Sequence, residues 1–346
     1  MKTNRYLMTR RNLFASAAAF AGLTALGTAP VLAREILRMS TLAPGTSPNL
    51  VMTAFANMVN RNLPEYEIQL NSTGAATRHV IEVARGNMAF CMGSPVLTAL
   101  LRNQAAMYSN IEQAPEWVTH LRTVLNFPMG LYHIVVYANS GIETLAGVQG
   151  KRVFLGPPGS AAYATMAQLF KDVAGLTPGK DFQVVNLGWD AATASFQDGN
   201  LDVYCNPTNA PSPALTQIAV MNPIRFLGIP EAELGSEAVT AMTKRPGFRI
   251  AQLKAGTYGE NQVNDGDVNT LSVTVGIITN EWQNTEMIRQ MVRVFYDGIS
   301  EMASTAPWMA AITPQSAVED INLALHPGAL AALEELGVTI PEQARG

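Results

Sequence analysis

Cysteine and histidine are scarce in this chain of 346 residues, which has two of the former and four of the latter. So few thiols exclude a disulfide-rich scaffold and a cysteine-rich metal site. Charged residues are also few, at 14% of the chain against 48% apolar residues, so a large core can be buried. At about 150 residues per domain, the length predicts two domains.

Positive charge is sparse beyond the N-terminus. The net charge is −4, yet residues 1–33 contain four basic side chains and no acidic one. The remaining residues include 19 basic and 27 acidic side chains, which gives a net charge of −8. A body this acidic, without a basic stripe, argues against nucleic acid as a partner.

The first 33 residues have the pattern of an export signal. Basic residues precede a weakly apolar stretch from Ala15 to Ala29, and Val31-Leu32-Ala33 is a small-residue cleavage site. The run from Thr9 to Phe14 resembles a twin-arginine signal with its leucine and aromatic in reversed order, so the export route stays open. An ordinary N-terminal helix is the alternative. The pattern predicts a periplasmic protein cleaved near Ala33, and no later apolar run reaches the 18 residues of a membrane span.

Short apolar runs alternate with helical patterns along the rest of the chain, which is the rhythm of βαβ units and a mostly parallel sheet. Loops rich in Gly, Ser, Thr and Pro separate each strand from the next helix. In an open α/β sheet, ligands collect at that edge. Strands are predicted at 36–41, 67–71, 88–92, 133–138, 151–156, 182–187, 201–205, 224–229 and 270–279, with helices at 49–61, before 86, from 96 and from 161.

One arrangement occurs twice, about 114 residues apart. Its copies are marked by Ala75-Ala76-Thr77 and Ala191-Ala192-Thr193, each followed by Gly-Asn, a strand and then Cys91 or Cys205. Two matching α/β units predict a bilobed protein, with chance similarity between two βα loops as the alternative. The cysteines would then lie in different lobes as reduced, buried thiols.

A central block of the chain resembles a known family. Tyr132 to Ile142, Gly150-Lys151-Arg152-Val153 and Gly156-Pro157-Pro158-Gly159-Ser160 look like the central block of TRAP-transporter solute-binding proteins of the TAXI family. The resemblance continues through residues 198–202 and 255–258. It therefore covers most of the chain after the signal.

Two departures from the family pattern concern the solute. Ala161 and Ala162 stand where the family usually has Gly-Thr, which removes a hydroxyl from a helix start. Gly259 stands where a proline usually follows Gly-Thr-Tyr. The resemblance therefore predicts the fold of this chain better than it predicts the identity of the substrate.

The resemblance implies a type II periplasmic binding protein, in which two Rossmann-like α/β lobes joined by a hinge close on a solute. Residues 34–138 plus 246–346 would form domain I and residues 139–245 domain II, with the hinge in segments 133–138 and 248–252. The partners would be a small solute and integral membrane TRAP permease subunits. The expected protein is a monomer without cofactor or metal, and it is not an enzyme.

The helix starts favour a small anionic solute, a carboxylate or an acidic amino acid. Free backbone N–H groups and the helix dipole attract negative charge there, and hydroxyl groups add donors. The same Ser and Thr residues could instead cap the helices without any ligand. Arg78, the one arginine among the candidates, could instead form a surface ion pair. The predicted ligand-binding residues are Thr46, Ser47, Ser72, Thr73, Gly74, Arg78, Ser94, Gly159, Ser160, Ala161, Tyr163, Asn206 and Thr208.

Enzyme motifs are missing from the sequence. It contains no Gly-x-Ser-x-Gly, Ser-x-x-Lys or His-Glu-x-x-His, and the loop 156–160 lacks the Gly-Lys-Ser/Thr ending of a P-loop. One alternative function is a periplasmic enzyme on the same fold, with Asp190 or Glu82 as general base. The other is a binding protein that serves a membrane sensor.

Overall fold

The computed structural model describes residues 34–44 and 46–346, so the predicted export signal lies outside the described residues. The strands are β1 (Glu35–Ser40), β2 (Tyr66–Asn71), β3 (Phe90–Gly93), β4 (Leu121–Tyr137), β5 (Arg152–Phe154), β6 (Gln183–Val184), β7 (Val203–Thr208), β8 (Ile224–Phe226), β9 (Phe248–Leu253) and β10 (Val268–Asn280). The helices are α1 (Ser47–Asn62), α2 (Ala76–Ala84), α3 (Pro95–Arg102), α4 (Ala114–Trp117), α5 (Ala161–Ala174), α6 (Trp189–Gln197), α7 (Pro213–Met221), α8 (Glu237–Thr243), α9 (Thr285–Thr305) and α10 (Pro327–Glu335).

The strands form one sheet in the order β2-β1-β3-β10-β4-β7-β5-β6, with β8 beside β4 and β9 beside β10. In lobe I (β1–β3 with α1–α3), β1 pairs in parallel with β2 and β3. In lobe II (β5–β7 with α5 and α6), β5 pairs in parallel with β6 and β7. The two lobes repeat the same strand order, which confirms the predicted α/β fold with two matching lobes.

The sheet is mixed rather than mostly parallel, because β4 and β10 run antiparallel through its centre. β4 pairs with β10 in its first half and with β7 in its second half, so it belongs to both lobes. The sequence predicts only residues 133–138 of it as a strand, since Pro128 and Gly130 are residues that usually interrupt one. Here they coincide with a register shift opposite Val273 and Thr274 of β10.

Aromatic rings pack against one another in both lobes. In lobe I, the ring of Phe55 on α1 packs against Phe90 on β3 and against Phe295 on α9, with centroids 6.2 and 5.6 Å apart. In lobe II, Phe154 on β5 stacks on Tyr204 on β7 at 5.7 Å. The first group belongs to a core that continues into lobe II as far as Phe170, and the second belongs to a smaller cluster. Close packing therefore holds the wall of the central cleft rigidly on both sides.

The ring of His133 on β4 is buried and joins β4 to the loop that precedes β10. The Tyr258 hydroxyl donates to Nε2 of His133 at 2.8 Å, and Nδ1 of His133 donates to the Leu131 carbonyl at 3.0 Å. The Tyr258 hydroxyl also accepts from the Ser212 N–H at 3.0 Å. Burial lowers the pKa of His133 to about 4, so the fold contains the neutral ring.

We expect the free energy of unfolding to fall as the pH drops below 6.5. An unfolded histidine binds a proton near pH 6.5 and folded His133 only near pH 4, so stability that is complete above pH 6.5 is lost as the pH approaches 4. His133 alone contributes a loss of about 2 kcal/mol by pH 5. Urea unfolding from pH 7.5 to 5 should show a shallower pH dependence for His133→Gln than for the native protein. Equal slopes would assign the pH dependence to other groups.

Candidate ligand-binding cleft

A cavity of about 460 Å³ lies between the lobes, within the range of about 300 to 1,000 Å³ that small-molecule sites occupy. Both lobes and both central strands contribute to its wall. From lobe I come Leu42, Ala43, residues 72–77, Met92, Ser94, Val96 and Leu97; from lobe II come Pro157, residues 160–162 and 188–191, and Pro207; from the central strands come Met129, Tyr132, Val273 and Val275.

Helices α3 and α5 begin at this cavity with capped N-termini. Ser94 Oγ accepts from the Leu97 N–H at 3.2 Å, and Ser160 Oγ accepts from the Tyr163 N–H at 3.1 Å. These two serines therefore cap their helices, which is the alternative role that the sequence predicts for them. Both also line the cavity, and a capping hydroxyl keeps its own hydrogen for a second acceptor.

Helices α2 and α6, which belong to the repeated sequence pattern, begin at the cavity without a side-chain cap. Their N-cap residues are Ala75 and Gly188. The N–H groups of a first helical turn have no acceptor within the helix. The first turn of α6 contains Asp190, whereas that of α2 contains no acidic residue. Because an acidic residue offsets the helix dipole, the start of α2 keeps its positive potential.

The loop before α2 is held in place by lobe I. The side-chain amide of Asn49 donates to Ser72 Oγ at 2.8 Å. Gly74 has a φ of 87°, and a Cβ there would lie 2.8 Å from Nε2 of His79, so the position favours glycine on both counts. Ser72, Thr73 and Gly74 all line the cavity, as does Ala161 across from them on α5.

Two of the predicted residues, Ser47 and Thr208, hydrogen-bond to Asn209, and the bonds of Ser47 join the two lobes. Ser47 Oγ donates to Oδ1 of Asn209 at 2.7 Å and accepts from the Asn209 N–H at 2.8 Å. Thr208 Oγ1 donates to the same Oδ1 at 3.3 Å. Ser47 begins α1 in lobe I and Asn209 follows β7 of lobe II, so the two hydrogen bonds of Ser47 connect the lobes.

Five other predicted residues lie outside the cavity lining. Thr46 caps α1 through a bond from the N–H of the third residue after it, and Asn206 donates to a neighbouring tyrosine hydroxyl at 2.9 Å. Tyr163 is half-buried on α5 and Arg78 is exposed on α2. Gly159 has a φ of 73°, and a Cβ placed there would have no atom within 4 Å, so its need for glycine is conformational.

The model of the NMT1-like family matches residues 41–337, which is most of the chain. The chain belongs to the NMT1-like family.

Solved structures similar to this NMT1-like protein share its bilobed fold. One, described as a periplasmic transporter, is 16% identical with a TM-score of 0.50, over 90% of this chain and 94% of that chain. The alkanesulfonate-binding protein SsuA from Xanthomonas axonopodis pv. citri, bound to MOPS, is 15% identical with a TM-score of 0.47, over 87% and 84%. A TRAP periplasmic solute-binding protein from Sulfitobacter sp. NAS-14.1, with bound β-D-galacturonate, is 9% identical with a TM-score of 0.47, over 90% of both chains. At these identities the likeness extends to the fold alone.

The apolar part of the cavity wall cannot be predicted from the sequence of this NMT1-like protein. Met92, Met129, Val273 and Val275 each lie in a strand and are at most 5% exposed. In sequence they are indistinguishable from core residues. Only the pairing of β3, β10 and β4 brings them to one cavity.

Groups that could support metal or acid–base chemistry are sparse in the described part of the chain. Residues 34–44 and 46–346 contain no group of three or more His, Cys, Asp or Glu side chains that could hold a metal ion. Of the two candidate general bases, Asp190 lines the cavity and Glu82 does not. Cys91 and Cys205 are free and buried, and burial raises the pKa of both thiols. Among the helices of these residues, none has both the length and the apolar character of a membrane span.

Proposed function

We propose that this NMT1-like protein is the periplasmic solute-binding component of a TRAP-type secondary transporter of the TAXI kind, and that it captures a small anionic solute between its lobes. The observation that carries the proposal is the start of α2, which enters the cavity without a capping side chain and without an acidic residue in its first turn. A helix start of this kind is suited to an anion.

The donors around the start of α2 support an anionic headgroup in particular. The first-turn N–H groups of α2 would donate to it together with the hydroxyl group of Ser72, which lines the same part of the wall. The hydroxyl group of Thr73 also lies there and donates to Oδ1 of Asn71 at 2.8 Å. Ser94 and Ser160 add two hydroxyl hydrogens from the capped helices. Hydrogen bonds to a charged group are each worth about 1.5–3 kcal/mol, so a carboxylate can be held without a cationic side chain.

Closure of the lobes would occur at the two hinge segments, residues 133–138 at the end of β4 and residues 248–252 of β9, the second of which pairs with β10. We assign residues 34–138 plus 246–346 to domain I and 139–245 to domain II, as the resemblance to the TAXI family implies. The register shift at Gly130 of β4 and Val273 of β10 supports a bend at this point, because a bulge locally disrupts the ladder. The hydrogen bonds of Ser47 to Asn209 would then help to hold the closed state.

The proposed partners are the membrane subunits of a TRAP permease, and the proposed location is the periplasm after cleavage near Ala33. The support for this is the TAXI-like block from Gly150 to Ser160 and the signal pattern of residues 1–33. We propose a binding protein rather than an enzyme, because no nucleophile is paired with a base in the sequence motifs. A role in serving a membrane sensor would require the same cleft.

A thermal-shift panel tests the proposed solute class. The protein is unfolded and refolded to remove any bound solute, then mixed with aliphatic and aromatic monocarboxylates, 2-oxoacids, dicarboxylates and acidic amino acids. At 100 times its dissociation constant, a ligand adds about 2.7 kcal/mol of stability, so at least one acid should raise the melting temperature by several degrees. Neutral sugars serve as the control. Stabilisation by sugars or divalent metal ions, with no response to any acid, would overturn the proposal.

A further inference from the structure

We infer that the solute of this cavity carries one negative charge on an apolar body, as an aliphatic or aromatic monocarboxylate does, and that diacids and acidic amino acids are poor ligands. The inference rests on the proposed function, since it specifies which anion the same cavity accepts. Three features of the wall carry it: an apolar floor, the absence of a cationic side chain among the described lining residues, and the position of Asp190.

The floor of the cavity is an apolar surface built by three adjacent strands. Val273 and Val275 are two residues apart on β10, so their side chains share a face of the sheet. Met92 on β3 pairs with the residue two positions beyond Val275, and so it lies on that face as well. Met129 is the extra residue of β4 at the register shift beside Val273. These four side chains are 2–5% exposed, so a ligand body that contacts them leaves water.

The wall, as far as the described residues form it, offers no cationic side chain to a second negative group. Across residues 34–44 and 46–346, no Lys, Arg or His lines the cavity. The hydroxyl groups of Ser72, Ser94 and Ser160 already accept a hydrogen bond within the protein, and each has one hydrogen left to give. The first carboxylate would use these neutral donors, so a second carboxylate on the solute would leave water with no cation to offset its charge.

Asp190 makes the side of the cavity across from α2 unsuited to negative charge. It stands in the first turn of α6 and lines the cavity, where it offsets the dipole of that helix. A diacid whose first carboxylate occupies the start of α2 would bring its second one toward this aspartate. An uncharged hydrocarbon body meets no such repulsion, and it can contact the ring of Trp189 beside it.

A homologous series of straight-chain acids tests the inference. In calorimetric titrations of the refolded protein from propionate to octanoate, the dissociation constant should fall about fourfold per added CH₂ until the cavity is full. Succinate, glutarate and glutamate should bind at least about tenfold more weakly than hexanoate. Weaker binding of 4-methylpentanoate than of leucine would overturn the inference that the solute carries a single charge, because leucine differs from it only by an added ammonium group.

Two leucine substitutions on α5 test whether the apolar body of the solute lies in the cavity. Ala161 lines the cavity and Ala164, three residues later on the same helix, does not. Ala161→Leu should weaken octanoate binding about tenfold or more and change propionate binding less than about twofold, because added volume excludes only the longer chain. Ala164→Leu should leave both unchanged.

The possible failures can be told apart. Tighter binding of succinate than of hexanoate, or affinity independent of chain length, would overturn this inference and leave the proposed anion-binding function intact. Absence of binding by every acid in the series and in the panel would overturn the proposed function itself.

Discussion

Replacement of Ala75 by aspartate is expected to stabilise the protein and to abolish solute binding at the same time. Ala75 is the N-cap residue of α2, and it makes no capping hydrogen bond. An aspartate there would accept from the free N–H groups of the first turn, which adds about 1 kcal/mol of stability. Its carboxylate would also occupy the place proposed for the solute's headgroup. Affinity for the best monocarboxylate should fall at least about 100-fold, the loss of two charge-assisted hydrogen bonds.

The opposite signs of these two effects separate binding from folding. Melting curves and calorimetric titrations are recorded for Ala75→Asp and for Ala75→Asn, which caps the helix without adding a charge. Ala75→Asn should give a similar gain in stability with a smaller loss of affinity. Full affinity in Ala75→Asp would place the anion elsewhere in the cavity. Adding the same charge at exposed Gln149, outside the lining, with Gln149→Glu should leave affinity unchanged.

The largest loss of stability is expected from Gly130→Ala, at the point where β4 passes from lobe I to lobe II. Gly130 has a φ of 120°, and a Cβ there would lie 2.1 Å from the Thr208 carbonyl oxygen. Both the backbone conformation and the contact with backbone atoms penalise a side chain. Together they should lower the free energy of unfolding by about 3 kcal/mol or more.

Gly141→Ala is the matched control for this substitution. Gly141 also has a positive φ, 71°, but no atom lies within 4 Å of a Cβ placed there. It should lose only about 1 kcal/mol, the cost of the left-handed conformation for alanine. Urea unfolding of both variants measures the difference. Equal losses would mean that the close approach of β4 to Thr208 is not a feature of the folded protein.

Local signals in the sequence predicted much of the fold and the cleft edge. Ser94 and Ser160 each precede an apolar helical pattern, and both cap the helix that follows. The repeated Ala-Ala-Thr triplets begin at the N-cap of α2 and at the third residue of α6, and both helices begin at the same cavity. These features depend on residues close together in sequence, where turn and capping preferences are strong.

Features that depend on distant pairing could not be predicted in this way. The hydrogen bond of Ser47 to Asn209 spans 162 residues, and nothing in either sequence neighbourhood indicates the partner. The apolar floor depends on the register of β10 against its neighbours, which pairs Met92 with Ile277 and so places Met92 on the same face as Val275. The absence of a side-chain cap on α2 could not be predicted either. Ser72 and Thr73 are close enough in sequence to act as caps, but the helix begins after Ala75.

Amide spectra of the protein during titration with hexanoate test the central claim most directly. Protein labelled with ¹⁵N-alanine and ¹⁵N-threonine reports on the N–H groups of Ala75, Ala76 and Thr77 at the start of α2. If the carboxylate binds there, these three resonances should shift with saturation, with the largest changes in the spectrum, and Ala75→Asp should remove the response. Saturable binding that leaves these amides unshifted, with the largest changes in another part of the chain, would contradict the account.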